Sequence, residues 1–160
     1  MPTYKKMPDQ SRVWVYQSNR KLTHDEIAGI EKRAEEFLND WTSHGQELTA
    51  AIEIFYDLFI IVFVDQDKAA ASGCSIDKSL QFIKELEVGY KLSLLDRLLV
   101  AYRDKETIQL CLIDHFEKLL QHGEVTENTV VFNNLVDTKK DFDTQWEVLL
   151  KDSWHKKLLH

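Results

Sequence analysis

The chain has 160 residues, the length of one ordinary domain, with 44% apolar and 29% charged positions. That is enough to build and solubilise a single core, and it excludes disorder and fibrous repeats. Lys and Arg number 20 against 27 Asp and Glu, and the net charge of −7 disfavours nucleic acid and anionic membrane surfaces as partners.

Two cysteines, Cys74 and Cys111, are too few for a disulfide framework, and the first ten residues lack the apolar run of a signal peptide. The longest apolar run, Leu58 to Val64, falls far short of the roughly 20 residues of a membrane span. The expectation is a cytoplasmic protein with free thiols and no membrane segment.

Residues 1–10 hold both prolines, Pro2 and Pro8, without apolar periodicity, and read as a loosely held arm. Val13, Trp14, Val15 and Tyr16 form a β-branched and aromatic run closed by the polar Gln17 to Arg20, a strand followed by a turn. Thr23 and Glu26 have the spacing of a capping box, with Leu22 and Ile27 placed as a hydrophobic staple. Ile27, Ile30, Ala34, Phe37, Leu38 and Trp41 then recur at helical intervals, which predicts a helix from about Thr23 to Trp41. Ala50 to Tyr56 and Leu58 to Val64 read as a hairpin turning at Tyr56 and Asp57. Its second strand carries no polar residue and is expected to be buried on both faces. Ile76, Leu80, Ile83, Leu86 and Tyr90 mark a second helix entered through Ser72, Gly73, Cys74 and Ser75. Leu98 to Tyr102 is a further strand, with a polar turn into Thr107 to Ile113.

The order strand, helix, strand, strand, helix, strand predicts an α+β, ferredoxin-like βαββαβ domain over residues 11–104, an antiparallel sheet with two helices on one face. Residues 105–160 read as a small C-terminal α/β extension. There Asp114 and Glu117 form a cap pair ahead of Phe116, Leu119 and Leu120, and Gly123 takes a left-handed C-cap position. Thr129 to Phe132 reads as a strand, Thr138 caps a short segment containing Phe142 and Trp146, and Trp154 lies in the tail.

The segment Ser72 to Asp77 is the most suggestive chemically. Small residues at a helix entrance leave N–H groups for an anion, which makes Gly73, Cys74 and Ser75 a candidate anion site. A thiol there leans toward thiolate, so Cys74 is a candidate nucleophile with His44 or Asp65 as its base. The plainer reading is a capped helix start with Cys74 packed as a small hydrophobe. Asp57, Asp65 and Asp67 border the hairpin but lack any metal-ligand spacing, and no H-x-x-x-H or C-x-x-C occurs, so no metal is expected. Gly29, Gly45, Gly73, Gly89 and Gly123 are too scattered for a phosphate-binding loop, and no cofactor is expected. Phe55, Tyr56, Phe59 and Phe63 read as core packing and not as a base-stacking platform for RNA.

The strings SRVWVYQSNRKLT (Ser11 to Thr23), SGCSIDKS (Ser72 to Ser79), TVVFNNLV (Thr129 to Val136) and KDSWHK (Lys151 to Lys156) together resemble a family of small bacterial proteins, some labelled "ABC transporter ATPase". That label implies a phosphate loop, which this chain does not carry, and the resemblance brings no site residues. The region from Asp114 to Trp146 loosely resembles GYF-type adaptor modules, without their G-Y-F tripeptide; this resemblance implies binding of proline-rich peptides through an aromatic patch. The expected function is non-enzymatic, by partner binding or by self-association as a homodimer through sheet extension or helix packing. The alternative is a thiol-dependent or anion-binding enzyme centred on Cys74.

Overall fold

The computed structural model describes residues 4–43, 46–47, 49–66 and 73–159. A 3-10 turn (Tyr4–Lys6) leads into β1 (Arg12–Gln17) and α1 (His24–Asp40). The expected capping box is present: Thr23 Oγ1 accepts from the Glu26 N–H at 3.2 Å, and the Glu26 carboxylate accepts from the Thr23 N–H at 2.9 Å. The two-residue strands β2 (Thr42–Ser43) and β3 (Gln46–Glu47) pair with each other. The long hairpin of β4 (Thr49–Phe55) and β5 (Phe59–Asp65) follows. It turns where expected, with Tyr56 and Asp57 both left-handed at φ 56° and 55° and the Leu58 N–H donating to the Phe55 C=O at 3.0 Å. Two left-handed central residues make a type I′ turn, whose twist suits a hairpin although neither residue is glycine.

Next come α2 (Gly73–Tyr90), β6 (Leu99–Asp104), β7 (Thr107–Leu112), α3 (Ile113–Gln121) and β8 (Val130–Phe132). The chain ends with α4 (Lys139–Gln145), β9 (Glu147–Leu149) and two 3-10 turns, Leu150–Asp152 and Trp154–Leu158.

Apart from the small β2–β3 ribbon, the described strands form two antiparallel sheets, one in the order β1-β5-β4 and one in the order β7-β6-β8-β9. β5 lies at the centre of the first, and all seven of its residues are buried. On one face Ile60, Val62 and Val64 pack with Ile30 and Ala34 of α1 and Ile83 and Leu86 of α2. On the other face Phe59, Ile61 and Phe63 meet Ala101 and Phe132 of the second sheet, with Phe142 and Trp146. The outer side of the second sheet packs Val100 and Val131 against Phe116 of α3 and Leu150 of the tail. The layers therefore run helix pair, sheet, sheet, helix and tail.

The α+β class stands, but the single four-stranded ferredoxin-like sheet does not form. The expected fourth strand, here β6, leaves the first sheet and pairs with β7 and β8. The reason lies in β5. Two helices on one face would leave Phe59, Ile61 and Phe63 in water, and a strand apolar on both sides needs a layer on each. A tight turn through Lys105, left-handed at φ 59°, also makes β7 the nearest partner for β6. The boundary read between residues 104 and 105 falls at this turn, inside one sheet.

Local structure differs from expectation at two places. From Tyr4 onward the N-terminal arm is packed: Tyr4 stacks on Phe63 at 4.8 Å between ring centres, and Met7 is buried in the same cluster. Asp114 does not cap α3, which begins at Ile113 after Leu112 with no side-chain bond at its N-cap. Gly123 is left-handed as expected, and Thr138 Oγ1 accepts from the Asp141 N–H at 3.1 Å.

Candidate functional site

In the expected sheet the last strand would lie beside the first, so the departure of β6 leaves the outer edge of β1 uncovered over part of its length. At its start the segment Asp137–Lys139 closes the edge: the Val13 N–H donates to the Asp137 C=O and the Lys139 N–H to the Ser11 C=O, both at 2.9 Å. Beyond its end, the Asn19 N–H donates to the Ser93 C=O at 3.1 Å and the Ser93 N–H to Asn19 Oδ1 at 2.9 Å. Between these closures lies a window. In an antiparallel ladder successive residues turn their main-chain groups to opposite sides. The Val13 N–H points away from β5, so Val15 and Gln17 turn their N–H and C=O groups outward as well. Among the described residues none bonds to these groups.

A groove of about 500 Å³ runs along this window, within the range of roughly 300–1,000 Å³ usual for ligand cavities. Ile76 and Leu80 of α2 and Leu94 form one wall, and Phe132, Val136 and Trp154 the other. Leu95 and Leu135 stand at the rim, 38% and 71% exposed, leaving apolar surface in water on both lips. Arg12, Asp96, Arg97 and Asp137 also border it, two charges of each sign.

The groove also has a polar element whose orientation is dictated from below. The Trp146 indole N–H can only donate, and it donates to Asn134 Oδ1 at 2.9 Å. That turns the Asn134 amide NH₂ toward Gln17, where it donates to Oε1 at 2.8 Å. Gln17 is thereby held with its own NH₂ group, Nε2, buried and without an acceptor among the described residues. Gln17 is only 6% exposed, so the missing bond is not supplied by bulk water. Arg12 Nε and Ser11 Oγ, at the start of the same edge, are also buried without partners.

His155 lines the far wall. It is buried, hydrogen-bonded through Nδ1 to Ser153 Oγ at 2.7 Å, and stacked on Trp154 at 3.9 Å between ring centres. Burial pushes its pKa down to about 4, so the imidazole is neutral at pH 7.

The sequence-predicted candidates sit elsewhere or partly beyond view. Gly73 opens α2 and is exposed. Cys74 is its second residue, with a side chain outside the described part, and His44 and Asp67 also lie outside the described residues. Ser75 is buried, and its C=O accepts from the Trp41 indole N–H at 3.0 Å. Asp65 is buried at the end of β5 opposite Thr49, whereas Asp57 is in the turn at the strand's other end, so these two do not converge. Cys111 is half-buried on β7, and burial raises its thiol pKa, which lowers its thiolate fraction at neutral pH. Among the described residues no three His, Cys, Asp or Glu side chains gather to hold a metal ion, and no helix is long and apolar enough to cross a membrane.

Phe55, Phe59 and Phe63 belong to the cluster between the sheets, whereas Tyr56, expected in the core with them, is 43% exposed because it sits in the hairpin turn. The sequence gives no sign that Gln17, Asn134 and Trp146 act together, because nothing in their spacing marks them as a chain of bonds. Comparison with family models, curated proteins and solved structures finds no match to this chain.

Proposed function

We propose that the protein acts by holding a partner in the groove along β1. The observation that carries this reading is the conjunction of main-chain groups at Val15 and Gln17 that have no partner among the described residues with apolar walls and two exposed leucines at the rim. Unpaired strand edges and exposed apolar surface are both costly to leave uncovered, and here they coincide.

The test is site-specific photo-crosslinking. A benzophenone amino acid at Leu135 is expected to capture a defined partner, whereas the same group at Val88 captures none. Val88 is the matched control: it is 82% exposed on α2 and does not line the groove. Equal capture at both positions, or none at Leu135, would overturn the reading.

A further inference from the structure

We infer that the occupant of the groove is a single extended peptide segment, apolar on both faces, which adds to β1 as a short edge strand. The inference rests on the partner-binding reading above and goes beyond it by naming the partner's chemistry and its mode of attachment.

Three observations select this occupant. The first is the hydrogen-bonding pattern: the outward N–H and C=O groups of Val15 and Gln17 repeat at every second residue, which only another extended backbone matches in register. The second is the limited length and depth of the window. Asp137–Lys139 closes one end, the Asn19–Ser93 pair closes the other, and the edge lies recessed between α2 and residues 132–136. About five residues at roughly 3.3 Å each fit such a window. A second folded copy would bring its own flanking layers to the edge and meet these walls, so a lone strand enters where a sheet does not.

The third observation is the nature of the walls. Side chains of an added strand alternate between the α2 side, with Ile76, Leu80 and Leu94, and the opposite side, with Phe132, Val136 and Trp154. Both are apolar, so the segment carries aliphatic or β-branched residues at consecutive positions instead of alternating polar ones.

The experiment uses the full chain and a randomised octapeptide library displayed on phage. The enriched peptides are expected to share four or five consecutive apolar residues. The consensus peptide is then synthesised, together with two forms N-methylated on alternate residues. One alternate set, whose N–H groups face β1, is expected to weaken binding by about tenfold or more, and the other set to leave it nearly unchanged. In ¹⁵N-labelled protein the Val15 amide, which has no acceptor among the described residues, is expected to become protected from hydrogen exchange on binding. Leu135→Asp, at an exposed site that tolerates charge, is expected to weaken binding.

No enrichment over an unrelated protein, equal tolerance of both N-methylated forms, or an unchanged Val15 amide would each overturn strand addition. If capture at Leu135 persists in those cases, only the extended-strand inference falls. If it vanishes too, the groove reading falls with it.

Discussion

The two faces of the first sheet are held in different ways. On the helix side the aliphatic Ile30, Ala34, Ile83 and Leu86 of α1 and α2 meet Ile60, Val62 and Val64, and the buried rings there are Trp41 and Phe82, with Phe37 in contact with both. On the sheet side the contact is aromatic: Trp146 lies within 6 Å, centre to centre, of the rings of Phe55, Tyr56, Phe59, Phe132 and Phe142. Helices supply ridges that aliphatic side chains fill, whereas two sheets packed face to face leave a gap of about 10 Å that large rings span. The lesson is that the aromatic layer carries two loads. It joins the sheets, and through the Trp146 indole it sets the amide orientation at the groove.

The largest effect is expected from removing the ring at the centre of the aromatic layer. Trp146→Ala is expected to lower stability by about 4 kcal/mol in urea titration, against about 3 kcal/mol for Phe82→Ala on the helix side. A larger loss at Phe82 would mean that the aromatic layer is not the stronger junction. Trp146→Phe keeps most of the ring packing but removes the N–H, which frees Asn134 to turn and releases the hold on Gln17.

The next largest effect is one of pH. Folded His155 resists protonation down to about 4, while in the unfolded chain it titrates near 6.5. Between those values the unfolded state binds a proton that the folded state refuses. Stability from this residue is therefore complete above pH 6.5, declines as the pH falls, and levels off below about 4. The loss amounts to about 3 kcal/mol. Urea midpoints of the parent and of His155→Phe, measured from pH 7 to pH 4.5, are expected to converge at the acid end; parallel curves would refute the assignment.

A smaller effect belongs to the helix side. Arg20 reaches both Glu26 oxygens at 2.8 Å and the Tyr90 C=O at 2.9 Å, tying the start of α1 to the end of α2. The Arg20 guanidinium, then the Thr23 N–H, holds the Glu26 carboxyl down to about 2. Its contribution is present above pH 4.5 and is lost as the pH falls toward 2. The pair is partly solvated, so Glu26→Gln is expected to cost only about 1 kcal/mol at pH 7, measured by denaturant titration.

The smallest effect is at the hairpin. The Tyr56 ring is held by Trp146 stacking, its hydroxyl donates to Glu147, and Arg103 binds the same carboxylate at 2.8 Å. Asp57 is also left-handed and costs strain that glycine avoids, so Asp57→Gly is expected to raise the thermal midpoint slightly, by about 0.5 kcal/mol of stability. A lower midpoint would show that the aspartate side chain contributes more than its backbone costs.

Much of this was legible in the residues. The Thr23–Glu26 cap, the α1 periodicity and the Tyr56–Asp57 turn are local signals and came through. The two-sheet arrangement was present only indirectly: the seven apolar residues from Leu58 to Val64 implied burial on both faces, and two helices on one side leave the other without cover. The groove was not legible. Its walls come from α2, the segment around Leu94 and residues 132–155, and the Trp146, Asn134 and Gln17 bonds join positions with no shared period. The Cys74 region drew notice because helix starts have a sequence signature, whereas a vacant strand position has none.

The bridge between Arg12 and Thr138 joins two segments far apart in sequence. On the ribosome β1 emerges well before the Asp137–Lys139 segment, and its outer edge lacks that cover until the segment has been synthesised. Throughout that interval the nascent polypeptide exposes a template for β-pairing longer than the one the folded chain keeps, and docking of the later segment shortens it.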